Sequence, residues 1–127
     1  MKRTLMKDPD LLKKISEAFT TGDLEFCSSY LADDIQWNIL GERSVIGKDQ
    51  VLEVFKMQAL ESFPAITIKN VIQENDQVVI ESVGKGRTKS GKPYDQTYCE
   101  IFRFDHELLQ EVTTYLDTLV SKEALGL

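Results

Sequence analysis

Apolar residues recur at three- and four-residue intervals through Leu11, Leu12, Ile15, Ala18 and Phe19, which predicts an amphipathic helix over residues 10–20. Asp8 and Pro9 mark its start, because proline is tolerated in a first turn. Thr21-Gly22-Asp23 ends it. Gly22 suits a left-handed C-cap, and Asp23 suits the cap of a second helix running to about Leu31, with Leu24, Cys27, Tyr30 and Leu31 inward. Ala32-Asp33-Asp34 is a stop, followed by a short strand from Ile35 to Leu40 with Ile35, Trp37 and Ile39 on one face. Residues 41–47 read as loop. A third helix runs from Lys48 to about Ser62 and buries Val51, Val54, Phe55 and either Met57 or Leu60.

Past Pro64 the period changes to two. Ile66, Ile68 and Val71 alternate with Thr67 and Lys69 up to Glu74, Asn75-Asp76 turns the chain, and Gln77 to Thr88 is the next strand. Ser90-Gly91-Lys92-Pro93 is a second turn. Tyr94 to Asp117 then reads as two long strands joined at Asp105-His106-Glu107. Tyr94, Gln96, Tyr98, Glu100, Phe102 and Phe104 share one face of the first strand, and Glu111, Thr113, Tyr115 and Asp117 share one face of the second. A face that mixes aromatic rings, carboxyl groups and hydroxyls suits the wall of a small-molecule cavity better than a plain core. Residues 121–127 read as a short helical turn or as disordered. Three helices and one early strand followed by a four-stranded meander make an α+β domain.

The chain has 127 residues, enough for one domain with its own core, about Pro9 to Thr118. A net charge of −6 argues against a nucleic-acid partner and against an anionic membrane surface. The basic residues of MKRTLMKDPD are followed by no apolar run, so neither a signal peptide nor a membrane span is expected. Cys27 and Cys99 make neither a disulfide framework nor a zinc site and read as reduced thiols of a cytoplasmic protein. The one histidine, His106, lies in a turn beside Asp105, so no histidine base and no metal site is expected, and no cofactor. Gly84-Lys85-Gly86-Arg87 lies in mid-strand without the helix a phosphate site uses, and reads as a bulge or an edge.

The run GDLEFCSSYLADDIQWNILGERSVIGKDQVLEVF from Gly22 to Phe55, the EIFRFD from Glu100 and the YLDT from Tyr115, in this order, resemble the nuclear-transport-factor-2-like superfamily. The similarity points to its branch of SnoaL-like polyketide cyclases and ketosteroid isomerases. That resemblance implies a cone: a curved antiparallel sheet wrapped round three helices, with a pocket in its open end. It also implies a homodimer through the outer sheet face, expected to carry Ile80, Ser82, Gly84, Thr97, Cys99, Ile101, Val112, Thr114 and Leu116. The superfamily hosts many non-enzymes, so the fold alone does not settle function.

Three carboxyl groups are candidates for chemistry. In the ketosteroid isomerases the position matching Glu100 is an acid kept protonated to donate into an oxyanion. The plain alternative is a strand carboxylate bonded to a tyrosine or a lysine. Asp117 resembles the aspartate on the last strand of the polyketide cyclases, a base for a proton next to a carbonyl. Alternatively it stands at the pocket rim or caps the chain end. The pairing implied by the resemblance turns Val79, Glu81 and Val83 inward, where Glu81 needs a partner such as Arg43, Lys85, Arg87 or a tyrosine hydroxyl. Glu81 with Glu100, or Glu100 with Asp117, could share a proton, although a structural ion pair is the commoner outcome. Trp37, Tyr98, Tyr115, Thr113 and Val83 are expected on the pocket lining, with ordinary core packing as the alternative for the aromatics.

The isomerase base falls at Asn38-Ile39-Leu40 and the isomerase tyrosine at Ile15, so classical steroid isomerisation is not expected. The expected function is binding of a small, partly hydrophobic carbonyl or aromatic ligand in the cone, with carboxyl-mediated proton transfer of the isomerase or cyclase kind. The alternative is a non-catalytic binding or dimerisation module of the same fold.

Overall fold

A computed structural model describes residues 10–56 and 59–126. Asp8, Pro9, Met57 and Leu127, which the sequence reading placed at a helix start, on a helix face and in the tail, lie outside the described residues.

Helix α1 spans Leu11–Thr21 and buries Leu12, Ile15, Ala18 and Phe19, the stripe set by the apolar spacing. Gly22 ends it with φ 80°, and the amides of Gly22 and Asp23 bond back to Phe19 O and Ala18 O. A side chain at Gly22 would meet the Phe63 ring at 2.8 Å, so glycine serves both the turn and the packing. Asp23 caps α2, Leu24–Cys27, by accepting from the Phe26 amide. A 3₁₀ turn at Ser28–Tyr30 leads into β1, Leu31–Ile39, which starts four residues earlier than the pattern suggested.

Residues 41–47 are not simply loop. They contain β2, Arg43–Ile46, which pairs antiparallel with β1 after a turn at Gly41. Helix α3 is short, Lys48–Val54, and stops well before Ser62. The remaining strands are β3 (Ala65–Glu74), β4 (Gln77–Arg87), β5 (Pro93–Asp105) and β6 (Leu108–Leu116). The end of the chain forms a further helix, α4, Thr118–Leu125, in place of the expected helical turn or disorder. Among the described residues no helix is long and apolar enough to cross a membrane.

The strands form one curved, unclosed sheet in the order β2-β1-β6-β5-β4-β3, antiparallel except where β1 lies parallel to β6. Its inner face packs on α1 and α3 around Phe19, Ile35, Trp37, Ile80, Phe102 and Val112.

Which face of each strand turns inward decides the site, and here two strands differ from expectation. On β5 the inward row is Tyr94, Gln96, Glu100, Phe102 and Phe104, as the alternation gave. On β4 the buried row is Val78, Ile80 and Ser82, so Val79, Glu81 and Val83 face outward. The run Val78-Val79-Ile80 is apolar in either phase, and the cost of enclosing the Glu81 carboxylate selects this one. On β6 the buried row is Leu109, Val112 and Thr114. A bulge sets Leu109 opposite Phe104 and Glu111 opposite Arg103, leaving Gln110 as the extra residue. That extra residue reverses the alternation and turns Glu111, Thr113 and Tyr115 outward. Ile80, Ser82, Gly84, Val112, Thr114 and Leu116, expected on the outer face, are therefore inside.

Candidate functional site

The inner face of β1, β5 and β6, the end of α1, Phe55 and residues 59–64 line a cavity of about 170 Å³. Its walls are mostly apolar and aromatic. Phe19 meets Trp37 and Phe55 edge-on, with ring centroids 4.9 and 4.7 Å apart. Leu125 of α4 contributes to the wall, and Glu42 and Arg43, at the turn between β1 and β2, complete it.

Glu100 forms the polar floor and is 6% exposed. The Trp37 indole N–H donates to Thr114 Oγ1 at 2.8 Å, and the Thr114 hydroxyl donates to Glu100 Oε2 at 2.8 Å. On the other side, Thr20 Oγ1 lies 3.1 Å from Glu100 Oε1 and 2.9 Å from the Ser16 carbonyl oxygen. A hydroxyl holds one proton, so only one of those two contacts receives it from Thr20. If Glu100 is ionised, Thr20 donates to Oε1. If Glu100 is neutral, its own O–H donates to Thr20, whose proton goes to Ser16, and every contact along the chain is filled.

Burial favours the second. It pushes the Glu100 carboxyl above its ordinary range, against the opposing pull of the hydrogen bonds from Thr114 and Thr20. Its hydrogen-bond partners are hydroxyls, and neither brings a positive charge. Glu100 is thus a carboxyl whose neutral form is favoured by its burial on the floor of an apolar cavity. Burial pushes the phenol of Tyr98, also on the wall, far up, and the adjacent Tyr94 hydroxyl adds to the effect.

A second polar cluster fixes α4 against the sheet. Gln96, fully enclosed, accepts from the Asp117 amide at 2.8 Å and donates to the Asp117 carbonyl at 3.0 Å. Its Nε2 also lies 3.3 Å from Ser121 Oγ, and Ser121 donates to Glu42 Oε2 at 2.9 Å. The side chain of Gln96 thereby acts as an extra rung of backbone pairing and sets both Glu42 and Leu125 at the cavity.

Of the residues proposed from sequence, Glu100, Trp37 and Tyr98 come together on the wall. The others do not. Glu81 is exposed on the outer face, where its Oε1 accepts from Asn70 Nδ2 at 3.2 Å, so it meets neither Glu100 nor any of the expected cations or tyrosines there. Asp117 caps α4, accepting from the amides of Leu119 and Val120 at 3.0 and 3.4 Å. Thr113 and Val83 point outward, and Tyr115 is 46% exposed there. Neither proposed carboxyl pair forms. The residues that sequence reasoning missed are Thr20, Thr114 and Glu42. For Thr20 a signal existed: Ser16 and Thr20 put two hydroxyls, four residues apart, on the buried side of α1.

A curved sheet wrapped on helices with a cavity at one end is the NTF2-like fold, and solved structures agree. An NTF2-like protein of unknown function from Cytophaga hutchinsonii is 29% identical, with a TM-score of 0.73 over 86% of this chain and 98% of that one. A protein assigned as a SnoaL-like polyketide cyclase from Jannaschia superposes with a TM-score of 0.78 at 14% identity, covering 98% of this chain and 96% of that one. A protein with a ketosteroid isomerase-like fold from Catenulispora acidiphila, solved in complex with trimethylamine, gives 0.73 at 18% identity, with 95% of each chain covered. The chain belongs to the SnoaL-like domain family, whose model matches residues 12–112. No functionally curated protein matches it in sequence.

Proposed function

We propose that the chain binds a small, mostly apolar ligand carrying a carbonyl oxygen in the cone cavity, and that the Glu100 O–H, otherwise given to Thr20, turns from Thr20 to donate to that oxygen. The observation that supports this is the enclosure of one carboxyl among hydroxyl partners, on the floor of a cavity whose other surfaces are largely apolar. An apolar wall strips water from the ligand, and a neutral acid aimed at its oxygen stabilises negative charge developing there.

Classical steroid isomerisation does not fit, because Ile39 on the wall cannot take a proton and Ile15 is sealed in the core. Proton transfer of a related kind needs an acceptor, and Glu42 is the second carboxyl among the described wall residues. Glu42 takes the proton next to the carbonyl while Glu100 holds the oxygen. Without that step the cavity serves binding alone.

The chain also pairs with a second copy through the outer face of the sheet, where Ile72, Val79, Ile101 and Tyr115 stand only partly covered.

Acetophenone tests the binding reading, followed by the fluorescence of Trp37 and by the infrared carbonyl band of the ketone. α-Methylstyrene, which has the same shape without the oxygen, is the control. The ketone is expected to bind about tenfold more tightly than the hydrocarbon and to show a carbonyl band shifted to lower frequency, with both effects reduced in Glu100→Gln. Equal affinity for the two compounds, unchanged by that substitution, rejects Glu100 as the donor.

A further inference from the structure

From Ile80 the inward side chains of β4 shrink along the strand: Ile80, Ser82, Gly84, Gly86. Glycine in a strand interior weakens it and commonly marks a close approach of other groups. That is the case at Gly84. A Cβ built there would lie 2.9 Å from Ile66 Cδ1, 3.1 Å from Tyr98 Cε2 and 3.4 Å from Pro64 Cβ. Ile66, Tyr98 and Pro64 all belong to the cavity wall. A Cβ on Gly86 would have Pro64 as its nearest neighbour, at 3.6 Å, an ordinary contact.

We propose that Gly84 sets the size limit of the ligand. The bare backbone behind the wall lets Tyr98, Ile66 and Pro64 stand back, and a side chain at position 84 drives them into the cavity. This rests on the reading of the cavity as a ligand site. The space so released is modest. An apolar cavity of about 150 Å³ accommodates one benzene, and the cavity here is about 170 Å³. The size match is therefore with a single-ring ketone or its equivalent, and a fused two-ring compound is expected to fit worse.

The test uses cyclopentanone, acetophenone and 1-acetonaphthalene as probes, with calorimetry and Trp37 fluorescence as readouts. The wild-type chain is expected to bind the first two and to reject the third. Gly84→Ala is expected to weaken acetophenone about tenfold while changing cyclopentanone by no more than about twofold, and Gly84→Val to abolish acetophenone binding. Gly86→Ala, on the same inward row, changes neither. Where Gly84→Val fails to fold, fluorine NMR of 3-fluorotyrosine-labelled protein replaces it: the Tyr98 resonance shifts in Gly84→Ala and not in Gly86→Ala. The proposal is overturned if the Gly84 variants bind acetophenone as the wild type does, if both ketones weaken in parallel, if the naphthyl ketone binds as well as acetophenone, or if the Tyr98 resonance stays in place. Failure of the wild type to bind any ketone overturns the binding reading and this proposal with it. Ketone binding that is indifferent to position 84 overturns only the role of Gly84.

Discussion

Thr20 Oγ1 lies 3.1 Å from Glu100 Oε1, joining the last turn of α1 to the middle of β5 across 80 positions of sequence. The bond has a direction that the protonation of Glu100 sets. In the neutral state the acid donates and Thr20 passes its own proton to Ser16. A glutamine at position 100 reproduces that pattern: its carbonyl accepts from Thr114 and its N–H donates to Thr20. An ionised glutamate would instead need two donors, and glutamine would lose one of those bonds.

Glu100→Gln is accordingly expected to fold with near-native stability and to change its pH dependence. Burial raises the folded pKa of Glu100 above the ordinary 4.5, so above that pH the unfolded chain releases a proton that the folded one keeps. The stability associated with Glu100 is fully present below the ordinary value and is lost as pH rises towards and through the raised one. Within that window the slope is about 1.4 kcal/mol per pH unit. Urea unfolding between pH 4 and pH 8 should show wild type losing stability relative to Glu100→Gln as pH rises. Parallel curves would mean that Glu100 titrates alike in the folded and unfolded chains.

Adjacent threonines on β6 should respond in opposite ways. Thr114→Val removes the acceptor of the Trp37 indole and a donor to Glu100, leaving buried polar groups unpaired, at a cost of about 1–3 kcal/mol. Thr113→Val, on the outer face, should stay within about 0.5 kcal/mol. Thermal unfolding of the two variants reads the difference directly. Equal losses, or a larger loss at Thr113, would reverse the orientation assigned to β6.

That orientation marks the limit of what the sequence alone could tell. The α+β order of elements, the stripe of α1 and the inward row of β5 were legible because their apolar periods run unbroken. β6 was not, because one extra residue at Gln110 reverses its alternation and leaves no local signature. β4 was ambiguous through Val78-Val79-Ile80, and its error carried Glu81 and Val83 to the wrong side. β2 is a short edge strand with largely exposed residues, so it shows no buried alternation. Asp117 was read as chemistry, whereas its position just ahead of α4 is that of an N-cap. Glu100 was found through its place in a motif. Thr114 was not, since a hydroxyl carries no pattern that names a partner on a distant element, and for Thr20 the spacing from Ser16 signals burial without naming Glu100.

The outer face yields a prediction about assembly. Ile72 lies opposite Val79, Val79 opposite Ile101, and Ile101 opposite Thr113, a row of partly exposed groups across four strands. Such a row is a candidate for an isologous contact between two copies. Sedimentation at tens of micromolar should show a dimer, and Ile101→Lys should shift it to monomer with little change in the unfolding of the isolated chain. A monomer at high micromolar concentration in the wild type would rule out this contact.

Catalysis, if the cavity supports it, requires both carboxyl groups, and hydrogen exchange isolates the step. With acetophenone in heavy water, removal of a methyl proton next to the carbonyl exchanges it for deuterium, and NMR follows the loss of signal without any need for the natural substrate. Glu42 would take the proton, and Glu100 would stabilise the oxygen that gains charge. The wild type is then expected to exceed the buffer rate. Glu42→Gln and Glu100→Gln should each lower the excess about a hundredfold or more, the usual contribution of a positioned proton donor or acceptor. Ser121 helps hold Glu42 through its 2.9 Å bond, so Ser121→Ala should lower the rate less than Glu42→Gln does. Exchange lost in Glu100→Gln but kept in Glu42→Gln would leave Glu100 as the oxygen donor and give the acceptor role to another group. Exchange no faster than buffer, in a protein that binds the ketone, would make the cavity a binding site alone.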